Sequence, residues 1–264
     1  KVPDSAFPSK GHCALLVAGF PCQPFSRLGT QPGFDDENRG MLYTQIVRAL
    51  RITQPRVFLL ENVPGLAAMC NSLKEILASL REVGYDVTVE VVNARGVTAQ
   101  SRKRLFFAGF LRPKEEEGNG EQSSSREPFQ FPYIPDLGLR AQHIVCYQGT
   151  GDEDDSIDLD RCRLSEQQMD QLLTRSKRWK PAHMAWPNNV CDTLDGHYGV
   201  TAGNGNSQLV PESAPSRPRL FSPRECARVM GFPNWFKIPE VDPNVVGEMA
   251  ERAHRKRLYL MFGN

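Results

Sequence analysis

Several side chains in the first half of the sequence stand where chemistry is done. Cys22 lies in Phe20-Pro21-Cys22-Gln23-Pro24-Phe25-Ser26, directly after the apolar run Ala14 to Gly19. Glu61 and Asn62 close the run Arg56 to Leu60 and precede Pro64-Gly65, and Arg102 and Arg104 lead into the run Leu105 to Phe110. Pro21 and Pro24 fix two φ angles, so the chain can neither extend a strand nor begin a helix there, and the thiol is presented on a rigid turn. A thiol held that way suits nucleophilic addition, a carboxyl suits proton delivery, and guanidinium forks suit a carbonyl oxygen or a phosphate. A lone cysteine in such a chain is more often a packed structural thiol. The acid and the two arginines at the ends of other apolar runs move the reading towards a reactive one.

The elements that must position these groups follow from periodicity. Leu42, Ile46, Val47 and Leu50 recur at helical spacing between Met41 and Thr53, and Pro55 ends the run. A helix between strands 14–19 and 56–61 makes them parallel neighbours with a right-handed crossover. Cys22 and Glu61 then lie past the carboxyl ends of adjacent strands, where open α/β sheets bind their ligands. A second helix is expected from Ser72 to Val83, with Ser72 and Glu75 as a capping box. Strands 85–92 and 104–110, joined by a turn at Arg95-Gly96, are expected to form an antiparallel pair at one edge. The Gly-rich, acidic loop from Pro21 to Gly40 is a candidate lid.

The motifs Pro21-Cys22-Gln23, Glu61-Asn62-Val63, Gln100-x-Arg102-x-Arg104, Phe221-Ser222-Pro223-Arg224-Glu225 through Gly231-Phe232-Pro233, and Phe262-Gly263-Asn264 occur in one order along the chain. In that order they resemble the cytosine C5-methyltransferase family. The resemblance implies an α/β fold, a partial S-adenosylmethionine-dependent, Rossmann-like methyltransferase sheet with a small irregular target-recognition domain. It implies transfer of a methyl group from S-adenosylmethionine to C5 of a cytosine flipped out of its stack. Cytosine C5 is a poor nucleophile until a thiolate adds at C6 and makes C4–C5 an enamine, and Cys22 would be that thiolate. Glu61 would serve N3, Arg104 the base O2, and Arg102 the phosphate or the nucleophile loop. Asn62 would fix the loop, and Gln23, Ser26, Arg39, Gln100, Thr193 and Gly199 would lie on the substrate side. Pro21 and Asn264 would touch the cofactor, whose main Gly-rich and acidic motifs are not in the chain.

Composition narrows the class. With 264 residues and a net charge of +1, nucleic-acid contact has to come from local clusters such as Arg102-Lys103-Arg104 or Arg255-Lys256-Arg257. Seven cysteines without a Cys-x-x-Cys pair fit neither a disulfide framework nor a structural zinc site, and no metal is expected. No apolar run approaches the roughly 20 residues of a membrane span, and no signal peptide opens the chain, so a nuclear or cytoplasmic location is expected. The expected organisation is a catalytic α/β domain at 1–112, a flexible linker at 113–128, a target-recognition region at 129–215 and a return to the catalytic domain at 216–264. Further helices are expected at 165–176, from 222 to Gly231, and at 245–257. The chain opens on Lys1 and stops within its last motif, which reads as a fragment expected to bind S-adenosylmethionine weakly or not at all. The Cys22 loop with Gly33-Phe34-Asp35 and Arg39-Gly40 is similar to the DNA-modifying branch. Cys191-Asp192-Thr193 and Lys256-Arg257-Leu258-Tyr259 are similar to the tRNA-methylating one. DNA is the favoured substrate, tRNA the alternative, and a non-catalytic nucleic-acid-binding relative the third possibility.

Overall fold

The computed structural model describes residues 2–20, 40–113, 127–146, 159–175, 184–196, 198–199, 208–213, 216–239 and 248–263. The chain divides into two compact units, Lys1–Asn93 with Lys103–Tyr133, and Ala94–Arg102 with Ile134–Asn264.

The first unit is built on four strands in the order β1-β2-β4-β3. β1 (Leu15–Gly19) and β2 (Val57–Asn62) run parallel, with helix α1 (Gly40–Thr53) between them in the chain, which is the expected crossover. β3 (Tyr85–Asn93) and β4 (Lys103–Leu111) form the expected antiparallel pair, but β4 is the inner member and pairs with β2 as well. The burial of each strand explains that order. β4 hides Leu105, Phe107 and Ala108, whereas β3 alternates Asp86, Thr88 and Glu90 with apolar residues and tolerates an edge. β1 is the other outer strand of the described sheet, and its Leu15 and Val17 are 52% and 64% exposed.

Helical periodicity supplies the layer that covers the sheet. α1 contributes buried Tyr43, Val47 and Leu50, and α2 (Cys70–Glu82) contributes Ile76 and Leu80, against Phe58, Leu60, Tyr85 and Phe107 of the strands. Burial pushes the Tyr43 phenol up to about 12, against a lowering bond with Ser79, so it is a neutral donor to the Ile76 carbonyl at 3.0 Å. α2 starts at Cys70 with Met69 as N-cap and no side-chain cap, so the capping box expected from Ser72 and Glu75 does not form. The reason is upstream: Pro64–Ala68 is already a 3-10 turn, and the helix propagates from it until Ser72 lies inside its first turn. A Cβ on Gly109 would come within 2.1 Å of the buried Phe58 ring. Gly109→Ala is therefore expected to cost about 1–3 kcal/mol in urea unfolding, and a neutral result would contradict this packing.

In the second unit, α3 (Glu166–Arg175), α4 (Pro223–Val229) and α5 (Glu248–Gly263) correspond to the three expected helices. At α4, Ser222 Oγ accepts from Glu225 N at 3.2 Å and Glu225 Oε2 accepts from Ser222 N at 2.7 Å, with Pro223 at the first position. α5 continues past Arg257 because Leu258, Tyr259 and Phe262 keep an apolar face buried and nothing there breaks a helix. Its Tyr259 stands edge-on to Tyr198, which stacks on Phe221 at 5.7 Å. No described helix is long and apolar enough to cross a membrane.

Candidate active site

The carboxyl end of β2 brings together an acid and an arginine of the first unit. Glu61 lies in register with Gly19 on β1 and with Phe106 on β4. Its Oε1 takes a hydrogen-bonded ion pair from Arg104 Nε at 2.9 Å, with the arginine side chain 18% exposed and the carboxylate 40% exposed. A second arginine nitrogen, Nη1, donates to the Lys103 carbonyl at 2.8 Å, so the guanidinium plane is fixed from two sides. Gly19 lies beside this carboxylate, where an added Cβ would stand in ordinary contact with Glu61 Oε2 at 3.5 Å. Glu61 is thus an oriented carboxyl group reachable from solvent at the tip of a parallel strand pair.

Asn62 does a different task. It is 1% exposed, donates from Nδ2 to the Phe20 carbonyl at 3.3 Å and accepts from Val63 N at 2.8 Å. Phe20 is itself anchored by ring contacts with Tyr43 and Phe107 at 5.3 and 6.3 Å. The residue next but one before Cys22 is therefore tied both to the core and to the residue after Glu61. Cys22, Gln23, Ser26, Arg39, Pro21 and Asn264 lie outside the described residues, as does the expected lid from Pro21 to Gly40 except for Gly40 itself, which opens α1.

In the second unit, the Gln100–Arg102 segment pairs with the residues around Cys191. Cys191 N donates to Ala99 O at 2.7 Å, Ser101 N donates to Cys191 O at 2.8 Å, and Thr193 Oγ1 donates to Ser101 O at 2.5 Å. Arg102 Nη1 donates to Leu194 O at 2.8 Å. Gln100 is 1% exposed, and its amide reaches Val229 O at 2.8 Å and Leu194 N at 3.3 Å. Gly199 has φ +75°, and a Cβ there would meet the Tyr259 ring at 2.5 Å, so this glycine makes room for packing inside the unit. Thr193 is exposed beside Asp192.

Three of the described thiols, Cys162, Cys191 and Cys226, are buried and unsuited to the role of nucleophile. Burial pushes Cys191 up to about 12, reinforced by the charges of Asp192 and Glu225, and it raises Cys162 and Cys226 as well. These are neutral core sulfurs at physiological pH. Among the described residues no group of three or more His, Cys, Asp or Glu could hold a metal ion.

Sequence reasoning missed Arg219, which is wholly buried. Its Nη1 and Nη2 donate to the two oxygens of Glu225 at 2.7 and 2.8 Å, its Nε to Glu212 at 2.9 Å, and its Nη2 also to Cys146 O at 2.7 Å. The Glu225 carboxylate also accepts from the backbone N–H of Cys146 and of Ser222, both at 2.7 Å. Burial alone would lower the Arg219 pKa, but the bonds and charges of Glu225 and Glu212 carry it above its usual value. The one signal in the sequence was the Glu225 of the capping box.

Residues 2–251 match the model of a family described as C-5 cytosine-specific DNA methylase. Among curated proteins, the chain is 31% identical over 238 residues to the type II methyltransferase M.DsaV of Dactylococcopsis salina, covering 86% of this chain and 61% of that protein. It is 30% identical over 236 residues to M.Bsp6I of a Bacillus species, covering 87% of this chain and 70% of that one. It therefore spans 61% and 70% of the length of these two relatives. Among solved structures, an Entamoeba histolytica methyltransferase, EhMeth, aligns with TM-score 0.62 at 16% identity, over 96% of this chain and 72% of that one. The S. pombe Dnmt2 methyltransferase aligns with TM-score 0.59 at 19% identity, over 96% and 74%.

Proposed function

The chain belongs to the C-5 cytosine-specific DNA methylase family, and from that premise we propose that it methylates C5 of a flipped-out cytosine in DNA through a covalent bond from Cys22 to C6. The observation that carries this reading is the oriented pair of Glu61 and Arg104 at the tip of β2, in register with Gly19 and bonded through Asn62 to the start of the Cys22 loop.

The Cys22 thiolate adds at C6, the π pair of the C5–C6 double bond shifts to make the C4–C5 double bond of the enamine, and the C4–N3 π pair takes up at N3 the proton carried by the acid form of Glu61. C5 takes the methyl group, and a base then removes the C5 proton so that the sulfur leaves with its electron pair. Arg104 keeps Glu61 oriented and offers its fork to the base O2, and Arg102 serves the phosphate. S-adenosylmethionine, the donor used by the family, supplies the methyl group when bound. No described strand of this chain leads into a Gly-rich turn that opens a helix, so the described residues do not build a cradle for that nucleoside, and the roles assigned to them concern the base.

DNA is preferred to tRNA as the polymer. Curated relatives are type II methyltransferases, and the Cys191 that resembled the tRNA-methylating branch is a buried sulfur without access to a substrate. The test is transfer of labelled methyl from S-adenosylmethionine by the full-length protein to duplex DNA and to tRNA in parallel. Incorporation into the duplex alone is expected; incorporation into tRNA alone would reverse the assignment of polymer, and none into either would favour a non-catalytic relative.

A further inference from the structure

Gln100 stands before the two arginines of its motif and is buried where they are not, which asks what a polar amide does in the core. Its Nε2 donates to Val229 O, the last residue of α4, at 2.8 Å, and its Oε1 accepts from Leu194 N at 3.3 Å. The opposite side of the same residue, Leu194 O, accepts from Arg102 Nη1 at 2.8 Å. Leu194 is itself 3% exposed, so its backbone has no water to exchange these partners for. Two further bonds lock the register, Ser101 N to Cys191 O at 2.8 Å and Thr193 Oγ1 to Ser101 O at 2.5 Å.

We infer that Gln100 is a positioning residue for nucleic-acid binding: by fixing the Leu194 backbone against α4 it sets the plane of the Arg102 guanidinium. This rests on the proposed reaction and adds to it a residue that acts without touching the substrate. A guanidinium hung on an exposed loop loses side-chain entropy when it meets a phosphate, whereas one already held by Leu194 O loses less. The long-range bond to Val229 also couples the motif to the Ser222–Glu225 cap at the other end of α4.

The experiment uses the full-length protein with Gln100→Met, which keeps an unbranched side chain of similar length and removes both bonds. At a temperature below the melting of every variant, KM for duplex DNA is expected to rise about tenfold with kcat within about threefold of wild type. Arg102→Lys, which keeps the charge and loses the fork, is expected to raise KM as well, and the double variant to be no worse than Arg102→Lys alone. Amide exchange in the peptide covering residues 191–194 is expected to quicken in Gln100→Met. Additive effects on KM, or an unchanged KM with a lowered Tm, would make Gln100 merely structural and overturn the inference. Unchanged exchange at 191–194 would overturn the clamp itself. A wild-type protein that transfers no methyl group would sink the proposed reaction instead, and the duplex Kd of the same variants, read by fluorescence anisotropy, then carries the same expectation and the same refutation.

Discussion

Cys22→Ser in the full-length protein is expected to lose methyl transfer to duplex DNA by about 10³-fold or more, with binding of the duplex retained. A serine hydroxyl is far less acidic than a thiol, and its oxygen is a weaker nucleophile towards the C6 of a stacked-out pyrimidine. A duplex carrying 5-fluorocytosine at the target position separates this from a loss of folding. Its C5 fluorine cannot leave as a proton, so the wild-type protein should remain attached to the DNA through a bond that survives SDS, and Cys22→Ser should not. Glu61→Gln keeps an acceptor for Arg104 but has no proton to give, and is expected to slow transfer by about 10²–10⁴-fold. Transfer by Cys22→Ser within tenfold of wild type would end the covalent mechanism, whatever the outcome at Glu61.

The second large effect concerns stability. Arg219→Met is expected to destabilise the second unit by about 3–5 kcal/mol, because it leaves the buried Glu225 carboxylate without its arginine and takes from Glu212 one of its two arginine partners, Arg163 being the other. Trp179, Trp186 and Trp235, the three tryptophans of the chain, all belong to residues 134–264. Urea unfolding followed by tryptophan fluorescence therefore reports on that unit. A double variant, Arg219→Met with Glu225→Met, is expected to recover only part of the loss, since the Cys146 and Ser222 N–H groups then lack their acceptor. A single-variant loss below about 1 kcal/mol would show that solvent reaches this pair and that it is not a buried ion pair at all.

The Cys22 loop and Arg219 differ in how far residue order alone reveals them. The Cys22 loop is argued from residue order: two prolines, a preceding apolar strand and the family's motifs. What the structure adds is its anchor, with Phe20 in the core and its carbonyl held by Asn62. Arg219 was invisible in the sequence because nothing about an arginine in Pro218-Arg219-Leu220 says that it is buried. That is decided by partners at Cys146 and Glu212, which no local pattern names.

The sequence by itself determined what acts over a turn or two of chain. It determined the parallel β1-α1-β2 unit, the α4 cap with Pro223 behind Ser222, the antiparallel pairing of β3 with β4, and the order of motifs that assigns the family. Periodicity, capping and proline stiffness are interactions between residues a few positions apart, so they can be read without a fold. Only the tertiary structure decided that β4 lies inside β3, that α2 grows out of the 3-10 turn past its apparent cap, that Glu61 faces Arg104, and that Gln100 reaches Val229. Each of those depends on which surfaces meet after collapse, where a buried polar atom must find a partner wherever one is left, however far away in the chain.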